Sequence, residues 1–307
     1  MMTGNGQAVV ELKNVHKAYG SRQALKGLDL QVEPGILFGL VGPNGAGKST
    51  ALRILLGLAR AGQGEIRLFG QKVKHVGPEQ RARIGYLPSE TEFYPEMRVK
   101  ELLRYAAGLQ KKDCQARTAQ LCRALDLDPE AKIRQLSLGG RKKAGIVCAM
   151  QHDPDLLILD EPTSGLDPLI QSVFFDLLHQ AVARGVTVVF SSHNLAEVQQ
   201  HCLQAAFIRD GRVLVSGPLH ELMIRSLRKV DMDGGPDPAG LPDVSHIRHS
   251  GGRTQFWYQG AMPGLLAWLS EGQVRDVTIA EPDLEDVFLQ LYEDTGRPGG
   301  NGETTAC

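Results

Sequence analysis

A chain of 307 residues, 42% hydrophobic and 22% charged, has room for one large and one smaller domain and has the composition of an ordinary globular protein. Its formal net charge of -1 argues against a chain built mainly to hold nucleic acid, and no direct nucleic-acid binding is expected. The five cysteines, at 114, 122, 148, 202 and 307, lack C-x-x-C or zinc-ligand spacing and read as reduced thiols. The first ten residues lack the basic start and apolar run of a signal peptide, and no run approaches the roughly 18 to 20 apolar residues that span a bilayer. The expectation is a cytoplasmic chain that reaches a membrane only through a partner.

The segments AVVELKNVHKAYG and ALKGLDLQVEPG alternate apolar and polar residues, as half-buried strands do. ILFGLVG is continuously apolar, which suits a strand buried on both faces. A glycine-rich loop and the helical spacing of KSTALRILLGLA follow. IGYL reads as a short strand that Pro88 ends, because proline cannot donate to a sheet ladder. Ser89 and Glu92 then have the form of a helix capping box. The spacing predicts one helix over 99 to about 126 and another over 141 to about 151. DLLILD and VTVVFSS are two more buried strands, with the helix PLIQSVFFDLLHQAVARG between them. This order implies right-handed crossovers and a mostly parallel α/β sheet.

Past about residue 228 the texture changes. DMDGGPDPAGLPD reads as a linker or irregular loop, followed by a strand (RTQFWYQG), a helix (PGLLAWLSEG), a strand (VRDVTIA) and a helix (DLEDVFLQLYED). That is a small α+β domain over 229–295, and the polar, glycine-rich 296–307 reads as a disordered tail.

Two motifs carry the chemistry. GPNGAGKST places Gly42, Gly47, Lys48 and Ser49 in the pattern G-x-x-x-x-G-K-[ST], between a buried strand and a helix. Glycines let the backbone curl so that N–H groups point at phosphate oxygens beside the positive end of the helix dipole. The whole loop, Gly42, Pro43, Asn44, Gly45, Ala46, Gly47, Lys48, Ser49 and Thr50, is therefore the expected nucleotide cradle. Lys48 would reach the β- and γ-phosphates and Ser49 would ligate Mg2+. The second motif, DLLILDEPTSGLDP, ends a strand in two acids. Asp160 is suited to hold Mg2+, and Glu161 to polarise a water for attack on the γ-phosphate.

Together these motifs resemble the ATP-binding cassette family, the motor subunits of ABC transporters, over roughly residues 8–222. The resemblance implies a P-loop NTPase core (8–87 and 151–222) with a helical subdomain at about 88–150. It sets Tyr19 where the family stacks an aromatic on adenine. It sets LSLGG at the signature motif, with Ser137 and Gly139 matching and Leu138 and Gly140 departing. His193 matches the switch histidine, and Asp167 the aspartate of the loop joining two nucleotide sites. Since a signature motif approaches the ATP of another cassette, the resemblance implies a dimer around two ATP, working with a separate transmembrane permease on the inner face of the cell membrane. The tail EPDLEDVFLQLYED resembles cassettes of ABC-2-type exporters.

Ser89 falls where the family has a metal-touching glutamine. A serine is shorter by about two bonds, so the sequence favours a helix cap over a metal ligand, with a water bridge to Mg2+ as the alternative. Arg98 stands where many cassettes have a helix-capping threonine. Two other classes compete. A cassette ATPase of DNA repair or translation would carry a coiled-coil insertion or a second cassette, and neither is found here. A GTPase would carry N-K-x-D, which does not occur, and a kinase has no need of LSLGG.

Overall fold

The computed structural model describes residues 7–223 and 228–281 together with Asp283, Leu284 and Asp286. It divides into two compact units, Met1–Gly217 and Pro218–Cys307.

In the first unit β1 (Val10–Tyr19) and β2 (Arg22–Val32) form an antiparallel hairpin. Next come β3 (Leu37–Val41), α1 (Lys48–Leu55), β4 (Gln63–Leu68), the two-residue β5 (Gln71–Lys72), the short α2 (Pro78–Ala82) and β6 (Ile84–Leu87). Three helices follow, α3 (Val99–Gln110), α4 (Gln115–Ala124) and α5 (Leu138–Met150). The unit closes with β7 (Leu156–Asp160), α6 (Pro168–Ala183), β8 (Thr187–Ser192), α7 (Leu195–His201), β9 (Gln204–Arg209) and β10 (Arg212–Pro218).

Two sheets result. The antiparallel sheet runs β2-β1-β4-β5, and a six-stranded sheet runs β10-β9-β3-β8-β7-β6. From β9 to β6 every pairing is parallel. Every residue of β3, β7 and β8 is buried, as strands covered on both faces must be. Val10, Leu12, Leu30 and Val32 of the hairpin share one hydrophobic cluster with Phe38, Leu40, Leu52, Leu55 and Ile158. The two sheets and α1 therefore close on a common core. Full burial of a leucine or phenylalanine in such a core contributes about 1.5–3 kcal/mol.

Three expectations are corrected here. The helix over 99–126 is two helices, because Lys111 takes a left-handed conformation (φ 53°) and ends α3. The signature helix begins at Leu138, not 141, because Ser137 caps it, its Oγ accepting the Gly140 N–H at 3.1 Å. No helix follows Ser89, so the Ser89–Glu92 capping box does not form. The glutamate half of such a box forms instead nine residues on, where Glu101 Oε2 accepts the Arg98 N–H at 2.8 Å and opens α3. Arg98 thus caps through its backbone, and its guanidinium donates to the Glu130 carbonyl at 2.6 Å.

The second unit holds α8 (Leu219–Met223), β11 (Arg228–Asp233), β12 (Val244–Ser250), β13 (Arg253–Tyr258), α9 (Met262–Glu271) and β14 (Asp276–Ala280). Its antiparallel sheet has the order β12-β13-β11-β14. Val230, Met232, Phe256 and Tyr258 of the sheet pack with Leu265 and Leu269 of α9. The segment read as a linker is thus partly structured. Its Asp-Met-Asp start belongs to β11, where Val230 and Met232 alternate inward between charged neighbours. Most of the expected last helix, and the 296–307 tail, lie outside the described residues.

Candidate nucleotide site

The phosphate loop leaves the buried β3 and enters α1, whose Ala51, Leu52, Ile54 and Leu55 face the core. Gly45 and Gly47 have φ of 81° and 113°, a region that L side chains avoid. At Gly47 a Cβ would also lie 2.9 Å from the Ala24 carbonyl oxygen. Gly47 occupies the N-cap position of α1 without a side-chain cap, so the first N–H groups of that helix are left for a ligand. Lys48, 5% exposed, donates to the Gly42 carbonyl at 2.5 Å and lies 3.5 Å from Glu161 Oε1.

Asp160 ends β7 and is 2% exposed. Parallel pairing sets it beside Ser191 of β8, whose hydroxyl donates to Asp160 Oδ1 at 2.6 Å. Ser49 Oγ donates to the same carboxylate oxygen at 3.1 Å. The next residue, Glu161, has a φ of 48°, and its N–H donates to Ser191 Oγ at 3.0 Å. A non-glycine residue held there costs of order 1–3 kcal/mol, which the surrounding bonds must offset. The Glu161 carboxylate lies 2.7 Å from His193 Nδ1 through its second oxygen.

Behind this pair sits Glu197, whose Oε2 accepts from Thr163 and from Ser192, each at 3.1 Å. Burial pushes the Glu197 pKa up, against those hydrogen bonds and with the repulsion of Glu161.

A cleft of about 560 Å3 opens over these groups. Tyr19, Pro43, Asn44, Gly45, Gly47, Lys48, Ser49, Thr50, Ser89 and Glu161 all line it. Ala46 is buried under the loop, and its N–H donates to the Pro43 carbonyl at 3.2 Å. Asp160 meets the cleft through Ser49, and His193 through Glu161. Tyr19 is 48% exposed at the end of β1, an aromatic face open to a base.

Ser137 and Gly139 do not line this cleft. They sit at the start of α5, where a Cβ on Gly139 would lie 2.7 Å from the Gly165 carbonyl oxygen. Asp167 caps α6, its Oδ1 accepting the Ile170 N–H at 3.0 Å. Arg22 and Arg53 also line the cleft, while Ser191 and Glu197 stand behind it, bonded to Asp160 and to Ser192. None of the four stood out in the sequence. Ser191 had a visible signal, a polar residue closing the apolar run VTVVF.

The arrangement fits a nucleoside triphosphate with a hard divalent cation. The donors that converge beside the phosphate loop are a hydroxyl and a carboxylate, an oxygen set that suits Mg2+. Backbone N–H groups, Lys48 and the start of α1 supply the anion-binding side.

Comparison with known proteins agrees with nucleotide binding. The family model described as ABC transporter matches residues 25–164. A Nod factor export ATP-binding protein I of Cupriavidus metallidurans is 35% identical over 94% of this chain and 98% of its own length. The chain belongs to the ABC transporter family of ATP-binding proteins. A second Nod factor export ATP-binding protein I, from Paraburkholderia xenovorans, is 34% identical over 95% of the chain and 98% of its own length. Among solved structures, an ATP-binding subunit of an ABC transporter superposes with a TM-score of 0.66 at 29% identity, covering 70% of this chain and 91% of that one. A dimeric cassette in a post-hydrolysis state, bound to ADP and Pi, gives a TM-score of 0.63 at 25% identity over 68% of this chain and 98% of its own.

This ABC cassette is therefore an ATP-hydrolysing subunit of an exporter-type transporter with a P-loop NTPase fold. The DNA-repair or translation alternative is not favoured by these transporter relatives. Among the described residues, no helix is long and apolar enough to cross a membrane.

Proposed function

We propose that this cassette drives an exporter by closing on a second cassette around two Mg2+–ATP and opening after hydrolysis. The observation that carries the reading is the convergence of Ser49, Asp160, Glu161 and His193 on one end of the phosphate cleft. Lys48 and the loop N–H groups bind and orient the phosphates. Mg2+, held by Ser49 and Asp160, supplies charge neutralisation at the phosphates when bound.

Glu161 is the group that takes the proton from the attacking water. One of its oxygens faces His193 and the other Lys48, so its orientation is fixed before substrate arrives. His193 is a side chain two-thirds exposed, able to meet the terminal phosphate while holding Glu161. Tyr19 supplies the stacking face for adenine.

Closure is what brings the signature motif into play. Ser137 and Gly139 open a 13-residue helix whose N-terminal N–H groups suit a phosphate, yet they stand outside this chain's own cleft. They would meet the ATP of the partner cassette. Exposed Tyr94, Tyr105 and Leu109 give the helical subdomain an apolar surface suited to a permease. The relatives are named for Nod factor export, but the motor side chains described here recognise only the nucleotide.

The test is to purify a tagged copy from mildly solubilised membranes with ATP present. Co-purification of a polytopic membrane protein, with ATP-dependent dimers of the cassette, is the expected outcome. Recovery with only ribosomes or DNA overturns the motor reading.

A further inference from the structure

The second turn of α5 buries a lysine that the mechanism above does not use. Lys142 is 1% exposed, and it has no carboxylate at ion-pair distance among the described residues. Its Nζ donates instead to two carbonyl oxygens of one loop, Ser89 at 2.7 Å and Pro88 at 3.4 Å. An ammonium in such a place is costly, and a methionine of similar length would fill the space at no electrostatic cost. Burial pushes its pKa down, while Asp160 and Glu161, both within electrostatic reach, push it up.

The placement links three parts of the fold. Ser137 caps α5, and Lys142 sits in its second turn. The loop that Lys142 grips carries Ser89, which forms one wall of the nucleotide cleft. Asp160 ends β7, which pairs with the β6 strand that leads into that loop, and Glu161 follows it.

We propose that Lys142 is a positioning residue that pins the Ser89 loop to the signature helix and sets the positive charge facing Asp160 and Glu161. The grip is on the main chain, so it holds the loop whatever side chain stands at 89. A shift of α5 at its phosphate-facing end then carries the cleft wall with it. The same ammonium competes with a divalent cation for the field of the two acids. The inference rests on the nucleotide site assigned above.

Two variants of the full chain separate grip from charge. Lys142→Met removes both, whereas Lys142→Gln removes the charge and keeps an N–H donor near the loop carbonyls. Turnover and the Mg2+ concentration that half-saturates binding of a fluorescent ATP analogue are measured for each. Lys142→Met is expected to lose about tenfold in kcat, with nucleotide affinity at saturating Mg2+ within about twofold of the parent, as a lost positioning contact does. Lys142→Gln is expected to keep kcat within about threefold. Both are expected to need about two- to fivefold less Mg2+, since a repelling charge has gone.

A kcat for Lys142→Met within about twofold of the parent overturns the grip, and an unmoved Mg2+ requirement in both variants overturns the charge role. Should Lys142→Met lack a cooperative thermal transition, Lys142→Gln decides: a kcat more than about tenfold below the parent overturns the main-chain grip, and an unmoved Mg2+ requirement overturns the charge role. If the unaltered chain showed no Mg2+-dependent nucleotide binding, the site assignment itself would fall.

Discussion

Ser191 Oγ bridges the two acids of the site, donating to Asp160 Oδ1 at 2.6 Å and accepting the Glu161 N–H at 3.0 Å. One hydroxyl on β8 therefore fixes both the metal-side carboxylate and the backbone turn that aims the neighbouring glutamate. Ser191→Ala leaves a buried carboxylate one donor short and a backbone N–H unpaired. The expected loss is about 1–3 kcal/mol of stability, read by denaturant unfolding, with Mg2+-dependent nucleotide binding weakened in parallel. Ser191→Thr, which keeps the hydroxyl, should recover most of the binding.

Replacing the proposed base tests a different link. Glu161→Gln keeps the shape that meets His193 and Lys48 but cannot take a proton. Turnover should fall about 10²- to 10⁴-fold while ATP binding persists. Size-exclusion chromatography with ATP should then show dimers that the parent chain, which hydrolyses its ATP, does not accumulate. Retained turnover would reject Glu161 as the base.

Much of this site was legible because its chemistry is tied to local sequence. The phosphate loop needs glycines at Gly45 and Gly47, and its contacts run through the backbone. Asp160 and Glu161 follow a fully apolar strand, where charge is otherwise expensive. What stayed hidden depends on partners far away in the chain. Lys142 looks like one more base in Arg-Lys-Lys until folding brings Ser89 beneath it. The Ser89 capping box failed for a similar reason. Its pattern is local, but the chain passes through bends and the Tyr94–Met97 turn before Arg98, where Glu101 reaches back to the start of a helix. β11 and β12 were missed because their inward apolar residues are few and their charged neighbours dominate the composition.

The signature turn gives a prediction that separates steric from conformational cost. Gly139 packs on a backbone oxygen of Gly165, so Gly139→Ala must push the two segments apart. Gly165 has a φ of 81° and is covered by the Leu138 side chain, whose Cδ2 lies 2.9 Å from where a Cβ would stand. Gly165→Ala should cost about 1–2 kcal/mol of stability from the positive φ alone, plus a steric part. In the double variant Leu138→Gly with Gly165→Ala the steric part should vanish, giving a coupling of about 0.5–1 kcal/mol in a double-mutant cycle. Gly139→Ala should find no such relief from Leu138→Gly, because its obstacle is main chain.

Glu197 carries the pH dependence. Burial is the leading influence on it, and its folded pKa lies above the ordinary glutamate value despite the Thr163 and Ser192 hydroxyls. A carboxyl with a raised folded pKa binds its proton more tightly in the native state than in the unfolded one. Its favourable contribution is complete below the unfolded value and fades as pH rises through the folded value. Stability should therefore decline with rising pH just above the ordinary carboxylate range, and Glu197→Gln should flatten that slope. At neutral pH the variant should be as stable as the parent chain or more so, since its amide carries no charge to desolvate while its carbonyl still accepts from a hydroxyl. Parallel denaturant titrations from about pH 4 to pH 8 read this directly, those limits bracketing the carboxylate range. A parent chain whose slope over that range persists unchanged in Glu197→Gln would assign the pH dependence to another acid and leave Glu197 ionised throughout.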